Sequence, residues 1–333
     1  MRVSWSSSLG RDDGDAYDAF VASSPGGHPA QTRAWADVVR SGRLLSTRFV
    51  TVEDGTRLVG AALLVRTRIA GIPAPWASID RGPVVDDPEH LGPCLCAIGA
   101  SARAHGVLHL AAMPYWADSR AEQAEAQLAR LGYRDAQRAD GPHARTLRVA
   151  LAGGEDALLA GPSMGQARWR LGQATKAGAV ARRGVSTDWH RLQVLHSDLM
   201  RSQRMHPRGP AWWTALEAHL RDEGRGALFV CEHQGRVVSA CVVLRHGALA
   251  TYAWGASVLD PLPFTKAVPA LALAMRWAQR GGCSTFDLGG VPLEGDQDPK
   301  RAAIATLKYD FARQPVRLVR LHARWLAPSP KES

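Results

Sequence analysis

The sequence predicts an α/β (α+β) protein built from two tandem copies of one domain, each a mixed sheet flanked by helices. Three observations predict it. The chain has 333 residues, a length suited to two domains of ordinary size. A hairpin pattern is written twice, and the same order of elements follows each copy. Residues 49–66 read FVTVEDGTRLVGAALLVR and residues 229–245 read FVCEHQGRVVSACVVLR. Each has an apolar start, a Gly-containing turn, an Arg and an alternating apolar strand, which is a β-hairpin pattern. The copies begin 180 residues apart, a period that favours a duplicated domain over a solenoid of shorter repeats.

Around the first hairpin the pattern predicts a second strand near 75–84, a helix over 87–105 and a strand over 107–112. A helix over 119–131 and the LGYRDA segment complete the first domain, placed at 1–145. Arg145–Leu151 reads as the strand entering the second domain, 146–314. There, 155–178 reads as helix interrupted at Gly161-Pro162, and helices over 188–204 and 210–223 precede the second hairpin. A strand at 248–256, a helix at 265–280 and a strand at 284–289 follow it. The alternation in QPVRLVRLHARW predicts a last strand, 315–326, returning to the first domain's sheet, and the tail from Pro328 is expected to fray.

Hydrophobic residues at 46% and charged residues at 22% are ordinary globular usage and exclude wholesale disorder. The 41 Lys+Arg against 31 Asp+Glu give a net charge of +10, and only five of the basic residues are Lys. Such an excess favours a polyanionic partner. It is concentrated: 160–208 holds nine basic residues and two acidic, and 300–324 holds seven and one. A phosphate-binding surface is one reading. Arginines paired with carboxylates on a solvated face are the other.

The five cysteines include no CxxC pair, which points to free thiols in a reducing compartment. The N-terminus lacks a secretory pattern and no stretch is apolar enough to span a bilayer. A cytoplasmic protein, acting as a monomer without stable membrane insertion, is expected. The twelve histidines form no HExxH and no zinc spacing, so no metal site is expected.

No G-x-S-x-G, P-loop or G-x-G-x-x-G after a strand is present. Gly289-Gly290, ending the strand FDLGG, marks either close approach by another group or an ordinary turn. A hairpin-plus-helix duplication invites comparison with the GNAT superfamily of N-acetyltransferases. These bind coenzyme A through R/Q-x-x-G-x-G/A between a strand and a helix N-terminus. Arg57–Ala62 fits the letters but lies inside a strand, and Gln279–Ser284 nearly fits but lies at a helix end. Acetyl-CoA is therefore disfavoured, and no cofactor is expected.

The segments HPAQTRAW (28–35), DRGPVVDD (80–87), RLGQATKAG (170–178), TYAWGAS (251–257), MRWAQRGGCSTFDLGGV (275–291) and LKYDFA (307–312) resemble the Fem family. Its members are aminoacyl-tRNA-dependent peptidyltransferases of two tandem GNAT-like domains. The resemblance implies an aminoacyltransferase of EC 2.3.2 type, compact because no coiled-coil arm is present, with aminoacyl-tRNA as co-substrate. The family Lys of F-K-x-x-F-G, which serves catalysis and contacts the tRNA terminus, corresponds to Lys308, while the motif's Gly becomes Ala312. Arg301 and Arg313 flank Lys308 as candidate tRNA contacts.

At the acceptor site the resemblance implies Arg204 and Arg208 before an aromatic pair, with Trp212 for the family's Tyr. Tyr252 and Trp254 stand for its Y-x-Y. The family Lys four residues after Trp35 is Val39, with Arg40 adjacent, and an Asp before Pro114 is Met113. Losing these charges removes ionic contacts that packing does not replace. A specialised member is therefore expected, acting on the amine of a small peptide-like or nucleotide-linked acceptor in peptide or nucleoside antibiotic biosynthesis. Three alternatives stay open: a peptidoglycan bridge enzyme acting on UDP-MurNAc-pentapeptide or lipid II, an acyl-CoA-dependent N-acyltransferase, and a non-catalytic tRNA- or nucleotide-binding protein.

Overall fold

A computed structural model describes residues 1–326 except 43, 139–143, 154–157, 160, 162–163, 223, 294–295 and 297–298, and omits the side chains of 299–301 and 303–304. The chain forms two compact units. One comprises residues 1–144 with the stretch from Arg317 onward, and the other residues 145–316.

The first unit begins with β1 (Arg2–Ser6), α1 (Arg11–Ser23) and α2 (Arg33–Arg40). The expected hairpin follows as β2 (Leu45–Asp54) and β3 (Arg57–Ile69), paired from Leu45↔Thr67 to Asp54↔Arg57. Next come β4 (Ile72–Arg81), β5 (Val84–Val85), α3 (Leu91–Ala104), β6 (His109–Pro114), α4 (Asp118–Arg130) and β7 (Arg134–Asp135). The helix expected from residue 87 starts as a 3-10 turn, Pro88–His90, because Asp87 caps Glu89 N–H at 2.8 Å and Pro88 lacks a donor.

Alternation along the strands sorts two cores. Val50, Val52, Ala62, Leu64, Ala77 and Ile79 pack on α3 and α4, whereas Phe49, Ala61 and Leu63 pack on α1 and α2. Gln31, fully buried, brackets this unit: its amide donates to Asp80 O at 2.5 Å and its oxygen accepts from Leu63 N–H at 2.7 Å. A Cβ at Gly82 would lie 2.6 Å from Gln31. The HPAQTRAW and DRGPVVDD segments therefore pack together as one structural lock.

The second unit contains β8 (Arg145–Ala150), α5 (Gly165–Lys176), β9 (Val180–Arg183), α6 (Ser186–Ser202) and α7 (Pro210–His219). Its hairpin is β10 (Gly226–His233) and β11 (Arg236–His246), turned by Gln234 and Gly235, both of positive φ. Then follow β12 (Leu249–Ser257), α8 (Ala267–Arg280), β13 (Thr285–Gly290), α9 (Pro299–Tyr309) and β14 (Pro315–Arg317). Strand order is β14-β8-β13-β12-β11-β10-β9. The Gly161-Pro162 interruption lies partly outside the described residues, and α5 starts after it.

The duplication is visible in topology. Each unit has an antiparallel hairpin, a third antiparallel strand, a helix and then a parallel partner for that third strand. The stretch 315–326 does not form a single strand. β14 sits at the edge of the second sheet, while β15 (His322–Trp325) enters the first sheet antiparallel to both β6 and β7. Leu318 and Val319 are buried in succession, which breaks the alternation that one continuous strand requires.

Candidate active site

The two units differ where their parallel strands meet. In the first, β4 and β6 stay paired over six positions, from Trp76↔His109 to Arg81↔Pro114. In the second, β12 and β13 pair only over Leu249↔Thr285, Ala250↔Phe286 and Thr251↔Asp287, then part. The site is built at this parting.

Lys308, in the last turn of α9, is buried with its ammonium donating to Gly290 O at 2.6 Å. It lies 6.0 Å from the Tyr252 ring centroid. Burial pulls its pKa from 10.5 down to about 8, opposed by the Asp287 carboxylate. Gly289 has φ +75, and a Cβ there would stand 3.1 Å from Tyr252 O and 3.6 Å from Lys308 Nζ. What approaches the FDLGG backbone so closely is thus the chain's own Tyr252 and Lys308. Asp287 accepts from Thr146 Oγ1, from Gly289 N–H at 2.7 Å and from Arg148 Nε at 3.4 Å. Sequence reading did not single out Asp287 as a site residue. Its signal was a carboxylate inside an otherwise apolar strand, TFDLGG, where only a partnered charge is tolerated.

Two other motif segments meet beside the site. Arg170 in α5 pairs with Asp310 at 2.9 Å and donates to Thr265 Oγ1 at 2.9 Å. This joins RLGQATKAG to LKYDFA. Ala312 is buried, its N–H bonded to Lys308 O at 3.2 Å, and it is not among the residues of positive φ. The turn after α9 therefore forms without the family's glycine.

The aromatic candidates form a second cluster in the same unit. Trp212 and Trp254 meet edge to face with centroids 5.0 Å apart, and the Arg208 guanidinium lies 4.4 Å over the Trp212 ring. A bulge lets Tyr252 and Trp254 oppose the consecutive residues Val243 and Val242. This re-aims the two rings, Tyr252 to Lys308 and Trp254 to Trp212. A Cβ at Gly255 would fall 1.9 Å from the Tyr252 hydroxyl, so the Gly of TYAWGAS makes room for that ring. Arg204 follows α6 in the left-handed region, φ 56, and is exposed.

Arg40 belongs to the first unit, bonded to Asp37 at 2.5 Å and Ser7 O at 3.1 Å. Val39 is half-buried and Met113 fully buried, also in the first unit. Arg313 is exposed, and the side chain of Arg301 lies outside the described residues.

Much of the basic excess is spent on structure. Arg182 pairs with Asp188 at 2.6 and 3.0 Å and with Glu232 at 2.6 Å. Burial pushes the Asp188 carboxyl up, yet Arg182 and the Val185 N–H together hold it below its ordinary value. In the C-terminal run, Arg317 bonds Glu122 and Glu125, and Arg320 pairs with Asp135 at 2.9 Å. These arginines belong to the first unit and Lys308 to the second.

Residues 13–137 match the FemAB family, and residues 165–301 match the acetyltransferase (GNAT) domain. The first match lies in the first unit and the second in the second, and the fold is that of two GNAT-like units. The crystal structure of FemX aligns over 98% of each chain with a TM-score of 0.80 at 17% identity. A tandem GNAT protein from the clavulanic acid biosynthesis pathway aligns over 98% of this chain and 100% of its own, at TM-score 0.57 and 16% identity. The C-terminal domain of a putative lysylphosphatidylglycerol synthetase from Agrobacterium fabrum covers 94% and 91%, at 0.58 and 14%. No curated protein sequence matches the chain. Among the described residues no cluster of His, Cys, Asp or Glu could hold a metal ion, and no helix is long and apolar enough to cross a membrane.

Proposed function

We propose that this chain is an aminoacyl-tRNA-dependent aminoacyltransferase that joins an amino acid to the free amine of a small peptide-like acceptor, a specialised-metabolite intermediate. The observation that carries the reading is the buried Lys308 ammonium at the parted end of β12 and β13.

An aminoacyl ester is already activated, so the chemistry asks for alignment and for a cation beside the developing oxyanion. The acceptor amine attacks the ester carbonyl, the C–N bond forms, and the C–O bond to the terminal ribose breaks. The proton lost by the amine ends on the ribose oxygen. With its pKa at about 8, Lys308 is mostly cationic at neutral pH, yet close enough to give up its proton to that oxygen.

The acceptor assignment rests on Trp212, Trp254 and Arg208, which offer indole faces and one cation; the specialised role rests on Val39 and Met113, which stand where the resembled family carries charges. The clavulanic-acid-pathway protein of like architecture supports a specialised-metabolite role. Arg208 favours a second reading, a UDP-linked cell-wall precursor whose diphosphate the guanidinium would bind.

Charged tRNA carrying a labelled amino acid, offered with each acceptor class, tests the proposal. Label should move to an amine-bearing acceptor only while the tRNA is intact. Transfer to the UDP-linked precursor alone would select the second reading. Tight acetyl-CoA binding with transfer that survives ribonuclease would replace both with an acyl-CoA enzyme.

A further inference from the structure

The β3–β4 hairpin of the first unit ends in an exposed apolar tip. Ala70 and Gly71 both have positive φ, 50 and 82, the pattern of a tight type I′ turn. The turn holds Ile69 and Ile72 as a cross-strand pair, 56% and 71% exposed. Leu44, 69% exposed, lies beside them, its carbonyl accepting from Arg68 N–H at 2.7 Å. Across three neighbouring strands, Trp76, His109 and Trp325 stand in one register row. Trp76 and Trp325 are 45% and 75% exposed. Scattered exposed apolar residues are normal, but a tip and a row of this kind in one unit mark an interaction surface.

The charges beside the tip are positive and uncompensated. Arg48 and Arg68 each donate to a backbone carbonyl, Thr47 O and Gly71 O, both at 2.8 Å. Among the described residues neither has a carboxylate partner. With Arg40 and Ser46 they line a cleft of about 470 Å³ that reaches Gly71 at the tip. Thr47 also lines it, and its buried Oγ1 has no hydrogen-bond partner.

We propose that the first unit docks peripherally on an anionic lipid bilayer, with Ile69 and Ile72 entering the headgroup region and the Arg48–Arg68 cleft taking a lipid phosphate. Cations for phosphate, aliphatic side chains at a rigid tip and flanking tryptophans are what a bilayer interface recognises. The Trp76–Trp325 row offers stacking rings that a single-stranded RNA also uses, but the Ile69–Ile72 tip beside the Arg48–Arg68 cleft offers RNA nothing and suits a bilayer.

The test is co-sedimentation of the full chain with vesicles of phosphatidylglycerol and phosphatidylcholine, against phosphatidylcholine alone. Binding only to the anionic vesicles is expected, weakened about tenfold or more by R48Q/R68Q, since each basic residue near the surface contributes on the order of a kcal/mol. I69S/I72S changes only the exposed tip and should weaken binding while leaving the charge and the melting temperature intact. Brominated lipid should quench the protein's fluorescence, and W325F should reduce that quenching. Failure to bind anionic vesicles, or binding untouched by I69S/I72S, overturns the proposal. A tRNA affinity lost in R48Q/R68Q, with no vesicle binding, would assign the surface to RNA instead and also overturn it.

Discussion

The Lys308 ammonium donates to the carbonyl of Gly290 at 2.6 Å, joining the last helix of the second unit to the strand from which β12 has just parted. One side chain thus carries both a structural bond and the site's positive charge, and the two roles respond oppositely to pH. In the folded chain the Lys308 pKa is about 8 instead of 10.5. Between these values the unfolded chain holds more protons, so this group's contribution makes stability rise with pH through that window. On the proposed mechanism transfer needs the cation, so activity should instead fall as pH rises through about 8. A pH–rate profile checks this. In Lys308→Arg, permanently charged, whatever activity remains should lack the alkaline limb.

Gly289→Ala should cost about 1–2 kcal/mol of stability, because a side chain is strained in the left-handed region. It should cost more in rate than in folding, since the new Cβ would stand 3.1 Å from Tyr252 O and 3.6 Å from Lys308 Nζ. Comparing kcat with the thermal melt separates the two effects.

Arg204 occupies a backbone position, φ 56, that glycine takes at many helix ends. Arg204→Gly should relieve about 1 kcal/mol of strain and raise the melting temperature. If Arg204 contacts the acceptor, the same change should raise the acceptor KM. A stabilised protein with unchanged KM would remove Arg204 from the acceptor site.

Gln31→Ala should destabilise the first unit by about 2 kcal/mol, because it removes the partner of the buried Leu63 N–H and of the part-buried Asp80 carbonyl. Calorimetry should show this loss, and a conservative Gln31→Glu should not rescue it, since a carboxylate cannot donate to Asp80 O as the amide does.

The duplicated hairpins were legible because period-two alternation with a glycine turn is a local signal. The return of the C-terminus was legible only in part. Alternation says that QPVRLVRLHARW is extended, but not that Leu318 and Val319 would both be buried and divide it between two sheets. At the site, Lys308 came from a family resemblance. Its environment came from the parting of β12 and β13, a long-range event that no window of sequence records. The basic run over 160–208 left two readings open for a physical reason: charge counts do not see partners. Arg182, counted toward a phosphate surface, is held by Asp188 and Glu232, the latter 50 residues away in sequence. Gln31 reads as a family motif position, yet its geometry makes it a structural bracket.

On the proposed mechanism Lys308 serves transfer from charged tRNA. The most direct measurement is single-turnover transfer of a labelled amino acid from purified aminoacyl-tRNA, comparing the natural chain with Lys308→Met. Ribonuclease-sensitive transfer should drop about 10²–10³-fold in the variant, with a melting temperature that does not fall by more than the lost Gly290 bond explains. Transfer at an undiminished rate in a folded Lys308→Met protein, or transfer that persists after the tRNA is digested, would contradict it.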